Sequence, residues 1–200
     1  MTNFLRNKIL SVLLGLSLAI ASLHAAAQHE TPSDTVTTMV ESILSILQRE
    51  AYSTEDRDLI RQAVYEGFDS RAMAQSVLST NWKAASIEQQ TEFEALFFET
   101  LENTYIGRLE AYTNEKVEYH DESIKQKRAS VETFIITSNK KIPINYKLRL
   151  RSNGWFIYDV EVENASMVSS YRETYRSVIR RSGMDDLLTQ MREKIAQFSQ

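Results

Sequence analysis

The sequence predicts an α+β fold: a mostly antiparallel, twisted sheet packed by N-terminal and C-terminal helices. Three observations carry this. Apolar residues recur at three- and four-residue steps across 34–113 and again across 166–198, the period of an amphipathic helix. Between 116 and 163 they alternate, the period of a strand with one buried face. Contiguous strands flanked by helical blocks, without βα alternation, are the pattern of an α+β domain.

The first 27 residues stand apart from this fold. Arg6 and Lys8 precede an apolar run from Ile9 to Ala21, and Ala25-Ala26-Ala27 follows with the small-residue pattern of a cleavage site. The run is short for a span of roughly 20 residues, so 1–27 reads as a cleaved export signal. Residues 28–200 then form a single domain, with no repeat or low-complexity linker to divide them.

In chain order, Val36, Met39, Val40, Ile43, Leu44 and Leu47 make an amphipathic first helix, with Pro32 suited to its start. Ser53 and Glu55 open a second helix carrying Leu59, Ile60, Ala63 and Val64, and Gly67 ends it. A short third helix lies in FDSRAMAQSVL. Ser86 and Gln89 then match a capping box. Beyond it Phe93, Leu96, Phe97, Leu101, Tyr105, Leu109 and Tyr112 form a long stripe, while Phe98 and Ile106 lie off it, so this helix is covered on more than one side.

Strands follow at Lys116 to His120 and Arg128 to Thr137. A third has Ile142, Ile144, Tyr146, Leu148 and Leu150 alternating with polar residues, and Asn153-Gly154 turns the chain into a fourth. There Phe156, Tyr158, Val160 and Val162 are expected on one face. A sharp turn at Asn164 leads to a helix with Met167, Val168, Tyr171 and Tyr175, Gly183 caps it, and Leu187, Leu188, Met191 and Ile195 form the last.

The net charge is −4, and −6 once Arg6 and Lys8 leave with the signal. An acidic chain is a poor general nucleic-acid binder. There is no cysteine, so neither disulfides nor thiol chemistry is available. After the signal only His29 and His120 remain, too few for a histidine metal cluster, and neither GxGxxG nor GxxxxGK[ST] occurs. No residue stands out as a nucleophile or base, so the protein is expected not to be an enzyme and to need no metal or cofactor.

Two blocks carry a resemblance. FDSRAMAQSVLSTNWKAASIEQQTEFEALFFETLENTYIGRLEAY, from Phe68 to Tyr112, and IPINYKLRLRSNGWFIYDVEVENASMVSSYRETY, from Ile142 to Tyr175, together resemble the MlaC family, also called the toluene-tolerance auxiliary family. With the export signal and the spacing, the match spans most of the mature chain. Two departures stand out: the family commonly has Gly where this chain has Ser79 and Asn164.

The resemblance implies an NTF2-like cone with an internal apolar cavity, in a periplasmic phospholipid carrier that maintains outer-membrane lipid asymmetry. It implies as partners an outer-membrane lipoprotein–porin complex and the substrate-capture subunit of an inner-membrane ABC transporter. Candidate lipid-binding residues are Met73, Val77, Trp82, Phe93, Phe97, Leu101, Tyr105, Ile144, Tyr146, Leu148, Phe156, Tyr158, Val160, Met167, Val168 and Tyr171. Lys147, Arg149, Arg151 and Arg172 are candidates for the pocket rim or a partner surface. Two alternatives remain open. A lipid-free, protein-binding adaptor predicts a solid core, and a small-molecule enzyme on the same fold predicts a polar pocket with a perturbed carboxylate or His120 inside it.

Overall fold

The computed structural model describes residues 31–50, 53–111 and 115–198. The expected export signal, residues 1–27, and Tyr112 lie outside the described residues. Seven helices and five strands are present among them. They are α1 (Pro32–Leu47), α2 (Thr54–Gly67), α3 (Ser70–Leu78), α4 (Thr80–Ala84), α5 (Ile87–Glu110), β1 (Lys116–Lys125), β2 (Arg128–Ile136), β3 (Lys141–Arg151), β4 (Gly154–Val162), β5 (Ala165–Ser166), α6 (Met167–Ser182) and α7 (Met184–Phe198).

Local sequence explains most of these boundaries. Thr31, Ser53 and Ser86 each close a capping box with the residue three positions on, satisfying amides that would otherwise lack partners at the helix start. Thr31 places the start of α1 at Pro32, two residues before the helical periodicity sets in. Gly183 ends α6 at φ 89°, where a Cβ is disfavoured. Glu163 (φ 51°) and Asn164 (φ 66°) make the left-handed turn between β4 and β5. Ser79, joining α3 to α4, sits at φ 53° and ψ −120°, a region glycine enters freely and serine does not.

The strands form one antiparallel sheet in the order β1-β2-β3-β4-β5. Two irregularities change what the period-two pattern predicts. β1 continues five residues beyond His120, and its register shifts between Tyr119 and Glu122. The extra residue returns Glu122 to the face of Tyr119, where its carboxylate accepts from the Ser33 amide (2.8 Å) and hydroxyl (2.6 Å) at the start of α1. In β4 the register shifts between Asp159, opposite Lys147, and Ile157, opposite Leu148. Trp155 and Ile157 therefore share a face with Val160 and Val162, while Phe156 and Tyr158 turn to the other side. The expected single face of Phe156, Tyr158, Val160 and Val162 is corrected by this bulge.

Two hydrophobic cores result. The first joins α1 and α2 to the inner sheet face, around Val36, Ile60, Val131, Leu148 and Ile157. The second is helical, gathering Met73, Phe93, Phe97, Tyr175, Leu187 and Met191 from α3, α5, α6 and α7. Phe68 touches both. Next to it the Asp69 amide donates to the Ile157 carbonyl (2.8 Å), fastening the helical half along the edge of β4.

Candidate functional site

A cavity of about 540 Å³ lies between the inner sheet face and helices α1, α2 and α5. Each element contributes one stripe. Met39, Val40, Ile43 and Leu47 come from α1; Ile60 and Val64 come from α2. Helix α5 supplies Phe98, Leu101, Tyr105, Ile106 and Leu109, while its opposite side sends Phe93 and Phe97 into the helical core. The sheet floor is Ile135, Ile142, Ile144, Tyr146, Val160 and Val162, with Met167 at the start of α6. Cross-strand pairs such as Ile144–Val162 and Tyr146–Val160 hold these floor residues on one face.

The charged members of the lining gather at one end, where α1 ends, α2 begins, α5 ends and β1 begins. Arg57 donates from Nε to Glu110 Oε1 (2.5 Å) and from Nη2 to Oε2 (2.9 Å). Arg61 is bidentate on Glu102 and also contacts Asp58, and these bonds, Glu102 foremost, hold its guanidinium more firmly protonated than usual. Glu115 and Thr137 complete this rim. Arginine–carboxylate pairs therefore link α2 to α5 at this end of the cavity.

Two hydroxyls interrupt the apolar floor. Burial pushes the Tyr146 hydroxyl up to about 12, a rise moderated by the neighbouring Thr133 hydroxyl. The two hydroxyls are neighbours without meeting hydrogen-bond geometry: Thr133, only 1% exposed, has an Oγ1 with no hydrogen-bond partner. An unpaired buried hydroxyl costs about 1–3 kcal/mol, so this is a polar point held ready in an apolar wall.

The structure brings seven of the sixteen residues proposed from sequence to the cavity: Met73, Leu101, Tyr105, Ile144, Tyr146, Val160 and Met167. Val77, Trp82, Phe93, Phe97, Val168 and Tyr171 belong to the helical core, where Tyr171 meets Phe97 edge-on at 5.2 Å. Leu148 is fully buried between sheet and α1. Phe156 and Tyr158 lie across the sheet, the latter under the Arg128 guanidinium at 5.9 Å.

The four proposed rim cations are also away from the mouth. Lys147 pairs with Glu161 and Asp159 on the outer face. Arg149 and Arg151 both reach Asp69, the N-cap of α3. Burial works to raise the Asp69 carboxyl, but the Arg151 bond, the Ala72 amide and the two arginine charges together leave it below its usual value. Arg172 donates to the Ser76 carbonyl at 2.8 Å. The rim instead uses Arg57 and Arg61, and the α1–α2 wall also escaped sequence reasoning. The amphipathic faces of those helices were legible, but nothing in their composition separates cavity wall from core.

Among the described residues, no cluster of His, Asp and Glu is arranged to hold a metal, and no helix is long and apolar enough to cross a membrane. His120 stands on the outer sheet face against the Phe134 ring (4.7 Å between centroids), outside the cavity.

Fold and site together define a cavity-bearing α+β domain, apolar inside and charged at its mouth. Residues 37–193 match the family profile described as "MlaC protein", and the chain belongs to that family. The intermembrane phospholipid transport system binding protein MlaC of Haemophilus influenzae is 24% identical over 147 residues, spanning 70% of this chain and 69% of that protein. The phospholipid-binding protein from Ralstonia solanacearum, solved with a phospholipid at 1.53 Å, has the same fold, with a TM-score of 0.75 at 22% identity over 83% of this chain and 97% of that one. Both relatives are described as binding proteins.

Proposed function

We propose that this protein is a periplasmic carrier that takes up phospholipid tails in the α1/α2/α5–sheet cavity. The head group stays at the Arg57/Arg61 rim. The observation that carries this is the cavity itself: continuous apolar walls open at one charged end, neither the solid core of an adaptor nor the polar pocket of an enzyme. A diacyl lipid free in water exposes on the order of 20 kcal/mol of apolar surface, so a carrier must enclose most of both tails.

In this proposal Met73, Leu101, Tyr105, Ile144, Tyr146, Val160 and Met167 contact the tails. The lipid passes between an outer-membrane lipoprotein–porin complex and the capture subunit of an inner-membrane ABC transporter, sustaining lipid asymmetry. The outer-face cations Lys147, Arg149 and Arg151, with Arg172 on α6, remain candidates for the surface that meets those complexes.

Mass spectrometry of organic extracts from protein purified under mild conditions tests the carrier role. Stoichiometric phospholipid is expected, together with uptake of labelled lipid from vesicles. Protein that carries no lipid and takes none up would overturn it.

A further inference from the structure

Thr133 and Tyr146 form a polar point on an otherwise hydrocarbon wall. Val131, Ile135, Ile144 and Val160 flank them on the same sheet face. Tyr119, opposite Thr133 on β1, is turned to α1 and donates its hydroxyl to Glu41 (2.9 Å), so it does not satisfy Thr133. A saturated chain lying on this floor also leaves the Thr133 hydroxyl unpaired. A chain carrying an oxygen at the right depth would pair it.

The strand sets that depth. Thr137 stands at the rim and Thr133 four residues inward on the same face, roughly 13 Å along β2. Carbon–carbon bonds of about 1.5 Å at near-tetrahedral angles advance an extended chain roughly 1.25 Å per carbon. With the head group at the rim, Thr133 and Tyr146 therefore lie beside about the tenth carbon. Ester carbonyls and oxygens near the head group remain too shallow to reach them.

Resting on the carrier reading, we propose that Thr133 and Tyr146 form an internal subsite recognising an oxygen, hydroxyl or carbonyl, borne mid-way along an acyl chain. The high Tyr146 pKa keeps its hydroxyl neutral and able to donate at physiological pH. Thr133 can donate or accept, so the pair fits either oxygen function. The subsite makes the cavity selective among lipids with identical head groups.

The test is competition against a fluorescent-tailed phospholipid. The competitors are three phosphatidylethanolamines carrying stearoyl, 10-hydroxystearoyl or 3-hydroxystearoyl chains. For the 10-hydroxy lipid, the affinity ratio to the plain lipid is expected to be about fivefold higher in the wild type than in Thr133→Val, the effect of one net hydrogen bond. Tyr146→Phe should lower the ratio likewise, and the 3-hydroxy lipid should show no such dependence on either residue. Equal ratios in wild type and both variants, or an equal effect for the 3-hydroxy lipid, would overturn the subsite and leave the carrier reading standing. Failure of every lipid to compete would overturn both.

Discussion

A carboxylate placed on the α5 wall should separate lipid loading from folding. Leu101 lines the cavity from α5 and is only half-buried, so a carboxylate there keeps access to solvent in the unliganded protein. In Leu101→Asp the empty protein keeps a solvated carboxylate and loses only partly buried apolar area, so stability falls by about 1–2 kcal/mol. A bound tail would change both terms. It forfeits roughly 2 kcal/mol of apolar contact and covers an unpaired charge at a cost of at least about 3 kcal/mol. The sum is about 5 kcal/mol, or three to four orders of magnitude in Kd. Leu101→Met, similar in volume, should stay within about tenfold of wild type. Vesicle-uptake titration gives the affinity, and urea unfolding checks the fold. If Leu101→Asp folds normally and binds within tenfold of wild type, tails do not lie on this wall and the assignment of the cavity is wrong.

Three further outcomes follow from other parts of the molecule. Ser79→Gly should raise stability by about 1 kcal/mol in urea melts, since it relieves a positive-φ strain and removes no side-chain cap bond. Asp69→Ala should cost about 2 kcal/mol, losing the bond to the Ala72 amide and the partner of Arg149 and Arg151. Because the folded Asp69 carboxyl titrates below its usual value, its contribution is present above about pH 4 and is lost as pH falls through the depressed value. Asp69→Asn should therefore flatten the acid limb of a stability–pH profile. On the alkaline side, Tyr146 stays protonated in the fold to about 12 while the unfolded side chain ionises near 10. Its share of stability is thus complete below pH 10 and disappears between pH 10 and 12, and urea midpoints of Tyr146→Phe should fall less over that range.

Much of the architecture was legible because helix and strand periods are local properties. The capping box at Ser86, the turn at Asn164 and the helical stop at Gly183 all rest on residue properties that act within four residues. The site was less legible for two physical reasons. One inserted residue at Tyr158 reverses inside and outside for half of β4, and a bulge leaves little trace in an aromatic-rich strand. Phe97 and Leu101 also stand one turn apart on one apolar stripe of α5, yet Phe97 is enclosed in the helical core while Leu101, packed against that core, also reaches the cavity. Which neighbour meets each face depends on where α2 and α6 pack, a tertiary fact that hydropathy does not encode. The Arg57 and Arg61 bridges were hidden because their partners lie 53 and 41 residues away.

The division into a hollow sheet core and a filled helical core makes the molecule unevenly soft. Hydrostatic pressure favours states that eliminate internal voids, and among the described residues the half under α1 and α2 holds the cavity of about 540 Å³. Squeezed while empty, the protein yields first along that half, while Phe93, Phe97 and Tyr175 keep the other in register. A tail that fills the void removes the compressible element. On the proposed function, cargo acts as the missing portion of the core, and loaded and empty protein should differ in mechanical stiffness even where their backbones coincide.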